Sequence, residues 1–302
     1  ITGGARGTVA IPVKESEGTA VEGKMYTVES ILQATELFGA DNITAIRLAL
    51  MGGAKDVLAY AVPEAATNEQ IFAKFDAYPF NVFVFDGEAV AVDLTAAKAW
   101  VIRSAKARKH FTFVTGGSAA DDIDPLKANT RTTSLSDPYI VNVGDGVTKD
   151  GVAYSSGVYA AYVAGLVAGT PINESITYTT VEADDVTRRR TNAEIETALN
   201  AGTLVLFHDG EKVKVERGLT TSGEKIRKIV ARQQIATDIE KTARDNYIGR
   251  LQNNEDGQMA LMNAIKAYLE TLEVNNVLTD IIVKADPDRP AVGDQFFVFI
   301  SF

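Results

Sequence analysis

The run Gly116-Gly117-Ser118-Ala119-Ala120 follows the apolar stretch HFTFV and comes one residue short of a nucleophile elbow, in which a strained strand-to-helix turn exposes a serine for attack. Ala120 stands where the last glycine of that turn belongs, and its base would be His208, in a predicted hairpin strand of the other half of the chain. The same glycines, with Gly144-Asp145-Gly146 and Gly52-Gly53-Ala54-Lys55, are candidate anion cradles. None has the G-x-G-x-x-G or G-x-x-x-x-G-K-[ST] spacing that brings backbone N–H groups against phosphate. Asp121, Asp122 and Asp124 carry the charge to attract a hard cation. They lack the turn glycine of a calcium loop and precede Pro125, so a solvated helix start is the favoured reading. No catalytic residue, metal ligand or cofactor is assigned.

Composition narrows the field further. The chain has no cysteine and two histidines, His110 and His208, which removes disulfides, thiolate sites and His-rich clusters. A net charge of −10 opposes non-specific binding to nucleic acid. The basic exceptions are Arg188-Arg189-Arg190 and the predicted helix bearing Lys98, Arg103, Lys106, Arg108 and Lys109, both read as solvated faces or protein-contact rims. No apolar run approaches the roughly 18 to 20 residues that cross a bilayer. Neither nucleic acid nor membrane is an expected partner. The chain starts at Ile1 rather than Met and ends inside the apolar run FFVFISF, so a trimmed chain is expected.

The elements that position these residues alternate. GTVAIPV, the segment 28–38, ITAIRLAL and DVLAYAV set up an α/β rhythm. It continues through a short helix over 69–78, the strand NVFVFDG, a helix with Leu94, Ala97, Val101 and Ala105 at helical spacing, and the strand HFTFVTGG. After YIVNVGDG, the small residues of VYAAYVAGLVAG predict a closely packed helix. The expected fold is therefore α/β, a mostly parallel sheet with helices, followed by an α+β region with a helix-hairpin-helix core. The boundary is placed near residue 180, giving domains 1–180 and 181–302, with the strand over 7–13 open to packing with the second.

The strongest local signals lie in TNAEIETALNAGTLVLFHDGEKVKVERGLTT. Thr191 and Glu194 have capping-box spacing, Gly202 is placed to end a helix, and Asp209-Gly210 is the favoured pair for a two-residue type I′ hairpin. Then Met259, Met262, Ile265, Leu269 and Leu272 mark one face of a long helix, and two strands flank DPDRPAVG. In this order the blocks resemble the contractile tail sheath proteins of phages and phage-like particles. AAYVAGLVAGTPINESITY resembles the family's connection into its C-terminal region, and GTVAIPV its early strand. VERGLTTSG is shorter than the family's usual segment, and only PEAAT stands where many relatives insert a β-sandwich.

The resemblance implies a structural subunit, not an enzyme, that polymerises helically around an inner tube and contracts to drive that tube through a cell envelope. Its implied partners are identical subunits, the tube protein, and baseplate and terminator proteins. Its implied place is a virion tail or phage-like particle, assembled in the host bacterial cytoplasm. Terminal arms that add strands to neighbours are a family feature, and FFVFISF suits such pairing. The expected assembly residues are Phe296, Val298, Ile300 and Phe302, with Lys241 and Arg244 on a surface facing the tube. The alternative from the residues alone is a nucleotide- or small-molecule-binding α/β enzyme using the Gly116 or Gly144 loop.

Overall fold

The computed structural model describes residues 6–302 and divides them into two units, 6–230 and 231–302. Ile1 lies outside the described residues. In the first unit, β1 (Thr8–Val13), β2 (Met25–Val28), β3 (Asp56–Ala61), β4 (Val82–Val84), β5 (Thr112–Thr115) and β6 (Ile140–Asn142) form one sheet in the order β2-β3-β1-β4-β5-β6. Neighbours run parallel except β2, which is antiparallel to β3. The chain builds to one side of β1 and then crosses to the other, so the winding reverses between β1 and β4. The early strand expected at 7–13 is thus central to this sheet, and its Val9, Ile11 and Val13 share a core with Leu204, Leu206 and Val213.

The alternation of side chains explains the apolar runs of the sequence, because both faces of the sheet are covered. Val9, Ile11, Val57, Ala59 and Val84 enter the core formed with α1 (Ile31–Phe38), α2 (Thr44–Met51) and α7 (Ser156–Gly169). Ala10, Leu58, Phe83 and Phe113 enter the other, with α3 (Asn68–Asp76) and α4 (Ala91–Lys106). There Phe72 and Trp100 stack at 4.4 Å between centroids, and the indole N–H donates to Asp76 at 2.8 Å. The small residues of α7 do what their size allows. A Cβ on Gly165 would lie 2.0 Å from the Ala49 carbonyl oxygen, so α2 and α7 approach backbone to backbone.

Two short helices, α5 (Ala119–Asp122) and α6 (Pro125–Leu135), connect β5 to β6. A three-stranded antiparallel sheet follows, β7 (Val147–Lys149) between β8 (Val152–Tyr154) and β9 (Asp185–Val186). Helix α8 (Asn192–Ala201) starts on the expected capping box. Thr191 Oγ1 accepts the Glu194 N–H at 3.3 Å and Glu194 Oε2 accepts the Thr191 N–H at 2.8 Å. Gly202 closes the helix at φ 87°.

The hairpin of β10 (Leu206–His208) and β11 (Val213–Val215) departs from the two-residue turn expected for Asp209-Gly210: its last pair is His208 with Val213, leaving a four-residue loop. The Asp209 carboxylate decides this by accepting the Glu211 and Lys212 N–H groups at 2.9 and 2.8 Å, an Asx-type turn in which Gly210 alone takes positive φ. The block then docks on β6. Leu204 N–H donates to the Asn142 carbonyl at 3.0 Å, Gly144 N–H to that of Leu204 at 2.9 Å, and Thr221 N–H to that of Ile140 at 2.8 Å. Residues 181–230 consequently lie in the first unit, and the observed division falls at 230/231 instead of near 180.

Helix α9 (Ile226–Asn246) crosses that division. The second unit contains α10 (Glu255–Val274) and an antiparallel pair, β12 (Ile282–Ala285) with β13 (Val298–Ser301). Its core is Ile235, Ile265, Tyr268, Leu269 and Leu278. Met259, assigned to the buried stripe of α10, is 56% exposed; Leu261 and Tyr268 share the inward face with Ile265, Leu269 and Leu272.

Candidate assembly interface

The glycine loops are filled by the chain itself. A Cβ on Gly116 would fall 2.2 Å from Ser156 backbone, one on Gly117 2.3 Å from Arg131 Nη1, and one on Gly144 2.6 Å from Thr203 Cγ2. The N-terminus of α7, where an anion would sit, is occupied by Asp122, whose carboxylate accepts the Ser156 N–H at 2.6 Å and its hydroxyl at 2.5 Å. Burial pushes the Asp122 carboxyl up to about 6, against the hydrogen bonds from Ser156 and the attraction of Arg131. Ser118, the nucleophile of an elbow, caps α5 by accepting the Asp121 N–H, and His208 Nδ1 accepts the Gly210 N–H. Asp121 pairs with Lys127 at 3.1 Å and Asp124 caps α6, so all three aspartates serve helix starts. Among the described residues no group of three or more metal-ligating side chains converges.

Arg188-Arg189-Arg190 is only partly the solvated run expected. Arg188 pairs with Glu194 at 2.7 Å and Arg189 with Asp185 at 2.9 Å near the surface. Arg190 is buried, its side chain 2% exposed, with Nε 2.5 Å from the 3%-exposed Asp145 and Nη2 donating to the Gly144 carbonyl at 2.8 Å. The other Asp145 oxygen accepts the Leu206 N–H at 3.1 Å. Burial raises the Asp145 carboxyl while Arg190 pulls it down. The Gly144 loop therefore clamps the hairpin block to β6. Sequence reading missed this because the pair is 45 residues apart and nothing local marks the third arginine of a run as buried.

The residues expected to take part in assembly fall in the second unit. In β13, Val298 and Ile300, with Phe302 just after the strand, pack against the core along with Val283 of β12. Phe296 precedes the strand in the connection. The outward face carries Ile282 and Phe299, 49% and 40% exposed, with Lys284 Nζ 5.1 Å from the Phe299 ring centroid. What β13 offers is main chain. The Asp286 N–H donates to the Phe297 carbonyl at 2.9 Å, which makes that a hydrogen-bonded pair, as is Lys284 with Phe299 two steps on. The N–H and C=O groups of Val298 and Ile300 then aim at the open edge, where among the described residues no third strand pairs.

The connection behind this edge is held in place. Asn253 Nδ2 donates to the carbonyls of Gly293 and Gln295 at 2.8 and 3.1 Å, and Arg289 pairs with Asp286 while lying 4.9 Å from the Phe297 ring centroid. The Asp288 N–H, then Arg289, hold the Asp286 carboxyl below its usual range. Asp238 links the two helices beneath, accepting from Gln234 Nε2 at 2.7 Å and from the Tyr268 hydroxyl at 2.6 Å. Lys241 and Arg244 stand on the exposed side of α9, Arg244 beside Glu240 at 3.5 Å.

Comparison with known proteins matches both halves in chain order. The family model for the phage tail sheath protein central domain covers residues 61–221, and that for the phage tail sheath C-terminal domain covers 220–302. The tail sheath protein of Clostridium phage phiCD119 is 24% identical over 232 residues, 73% of this chain. The chain spans 61% of that relative's length. Among solved structures, the sheath tail protein of Desulfitobacterium hafniense superposes with a TM-score of 0.80 at 19% identity, over 99% of this chain and 96% of that one. The anti-feeding prophage helical sheath in its contracted state gives 0.78 at 15%, over 99% and 90%. The sheath of an extracellular contractile injection system, also contracted, gives 0.79 at 11%, over 100% and 88%.

Proposed function

Because the chain belongs to the phage tail sheath family, we propose that it is the structural subunit of a contractile tail sheath. It polymerises helically around an inner tube and contracts to drive that tube through a target envelope. It acts as a structural protein and not as an enzyme. The observation that carries this reading is the ordered match of both family regions to one chain. The packed Gly116 and Gly144 loops support it against a ligand-binding α/β enzyme. Its partners are identical subunits, the tube protein, and baseplate and terminator proteins, in a phage tail or phage-like particle assembled in the host bacterial cytoplasm.

Subunits joined by strand exchange move as bodies without losing connection, and their compact contacts then break and re-form between two discrete arrangements. The open edge of β13 suits that exchange. A tether also supplies a local concentration that the domains alone lack. The 302-residue chain is therefore expected to be mainly monomeric at micromolar concentration, while a longer chain carrying terminal arms forms tubes or rings. Sedimentation velocity and negative-stain microscopy on the two decide it. Tubes from the shorter chain, or a monodisperse monomer from the longer one with tube protein supplied, would count against the reading.

A further inference from the structure

At the α/β sheet of the first unit, exposed acids outnumber bases at one end and exposed bases outnumber acids at the other. In a parallel sheet with crossover helices, helices start at the carboxyl end of the strands and finish at the amino end. The carboxyl end carries exposed Glu15, Glu17, Glu64 and Glu88 in the segments after β1, β3 and β4, against exposed Lys14. The amino end carries exposed Lys55 before β3, Lys74 in the last turn of α3, and Arg103 and Lys106 in the last turn of α4, against the one exposed acid of α3's end, Asp76, 4.0 Å from Arg103. Acids at helix starts and bases at helix ends follow helix electrostatics, but Glu15, Glu17, Glu64 and Lys55 lie outside helices.

Each end also has an apolar feature. At the carboxyl end, Ile123, Pro125 and Leu126 face Ala193 and Thr197 across a groove of about 450 Å³, with Ile123 and Leu126 71% and 66% exposed. Asp124, Glu194 and Arg188 lie in its wall, Arg188 pairing with Glu194 at 2.7 Å, and exposed Glu196 precedes Thr197. At the amino end, Tyr78 is 42% exposed in the turn between α3 and β4. That turn is rigid: Lys109 Nζ donates to the Tyr78 carbonyl at 3.1 Å and also to that of Phe75. An ordered aromatic on the predominantly basic end complements an apolar groove on the predominantly acidic end of one domain. Like ends repel, so the contact is head to tail, and such contacts propagate instead of closing as a two-fold dimer.

We propose that Tyr78 of one copy seats in the Ile123–Leu126 groove of a second copy, with Lys74 against the exposed Glu196 of α8. This rests on the sheath reading for why copies meet, but its test needs neither tube nor arms. Self-association of the 302-residue chain is measured by sedimentation equilibrium up to millimolar concentration, in roughly 10 mM and roughly 1 M salt, where screening lengths are about 30 and 3 Å. Tyr78→Ala is expected to weaken association about tenfold or more, as for a central aromatic anchor. Lys74→Glu and Glu196→Lys should each weaken it severalfold at low salt only, and the double variant, whose net charge is unchanged, should restore it. All three sites are exposed, so matching thermal melts verify folding. Association that is absent, indifferent to Tyr78→Ala, or not regained in the double variant overturns the contact. Failure of the longer chain to form tubes would instead sink the sheath reading.

Discussion

Arg190 and Asp145 show how a single pair decides the placement of a whole block. A buried charge without its partner pays desolvation with nothing to offset it, so removing one member costs more than removing both. Arg190→Met is expected to lower stability by about 3–5 kcal/mol, and Arg190→Met with Asp145→Leu to recover most of it, in urea unfolding with an unchanged m-value. A double variant no better than the single would mean the pair is not what holds the Gly144 loop. Asp122 makes a pH-dependent prediction. Its carboxyl stands at about 6 in the fold against a reference of 3.8, so between these values the folded state binds more protons than the unfolded one. Its stabilising contribution is fully present below the lower value and is lost as pH rises through about 6. Asp122→Asn has no such titration. From pH 4 to 7 the wild type should lose on the order of 2 kcal/mol relative to it; an equal stability difference at both pH values would disprove the raised pKa.

Among the elements, the β12–β13 hairpin carries the most direct test of strand addition. Val298 is the first residue of β13, a position where proline is tolerated, and its N–H aims at the open edge and not into the ladder. Val298→Pro and Val298→Ala both remove the branched valine side chain, but only proline deletes the outward donor. The two should cost the monomer similar stability by thermal melting, while only Val298→Pro prevents an arm-bearing chain from forming tubes. The elements that were legible in sequence were those fixed by neighbours in the chain. The Thr191–Glu194 box, the Gly202 cap and the doubly covered strands depend on residues a few positions apart or on simple alternation. The four-residue turn was misread because Asp209 favours two outcomes, and the choice of its carboxylate to bind two N–H groups overrides the Asp-Gly preference. The division at 230/231 was hidden for a different reason. It depends on Leu204 and Thr221 pairing with the edge of β6, and no local pattern in 181–230 states which sheet will accept it.

At the scale of the whole molecule, the proposed sheath asks one chain to hold a tube and to hold its own neighbours, and the residues proposed for the two tasks lie in different units. Lys241 and Arg244 lie on the exposed side of α9 within 231–302, whereas Tyr78 and the Ile123–Leu126 groove lie within 6–230. The tasks should therefore fail separately. With an arm-bearing chain and tube protein, Lys241→Glu with Arg244→Glu is expected to leave subunits able to associate but to leave tubes bare, since reversing two exposed cations at a contact removes its charge complementarity. Tyr78→Ala is expected to leave subunits bound along the tube but poorly joined to one another. Co-sedimentation with tube protein reports the first property, and negative-stain images of sheath length and continuity report the second. If Lys241→Glu with Arg244→Glu spared tube binding while Tyr78→Ala abolished it, the surface given to the tube would have to be moved from α9 to the α/β unit. The same result would require the head-to-tail contact to be reassigned, because one aromatic cannot be buried between copies and also face the tube.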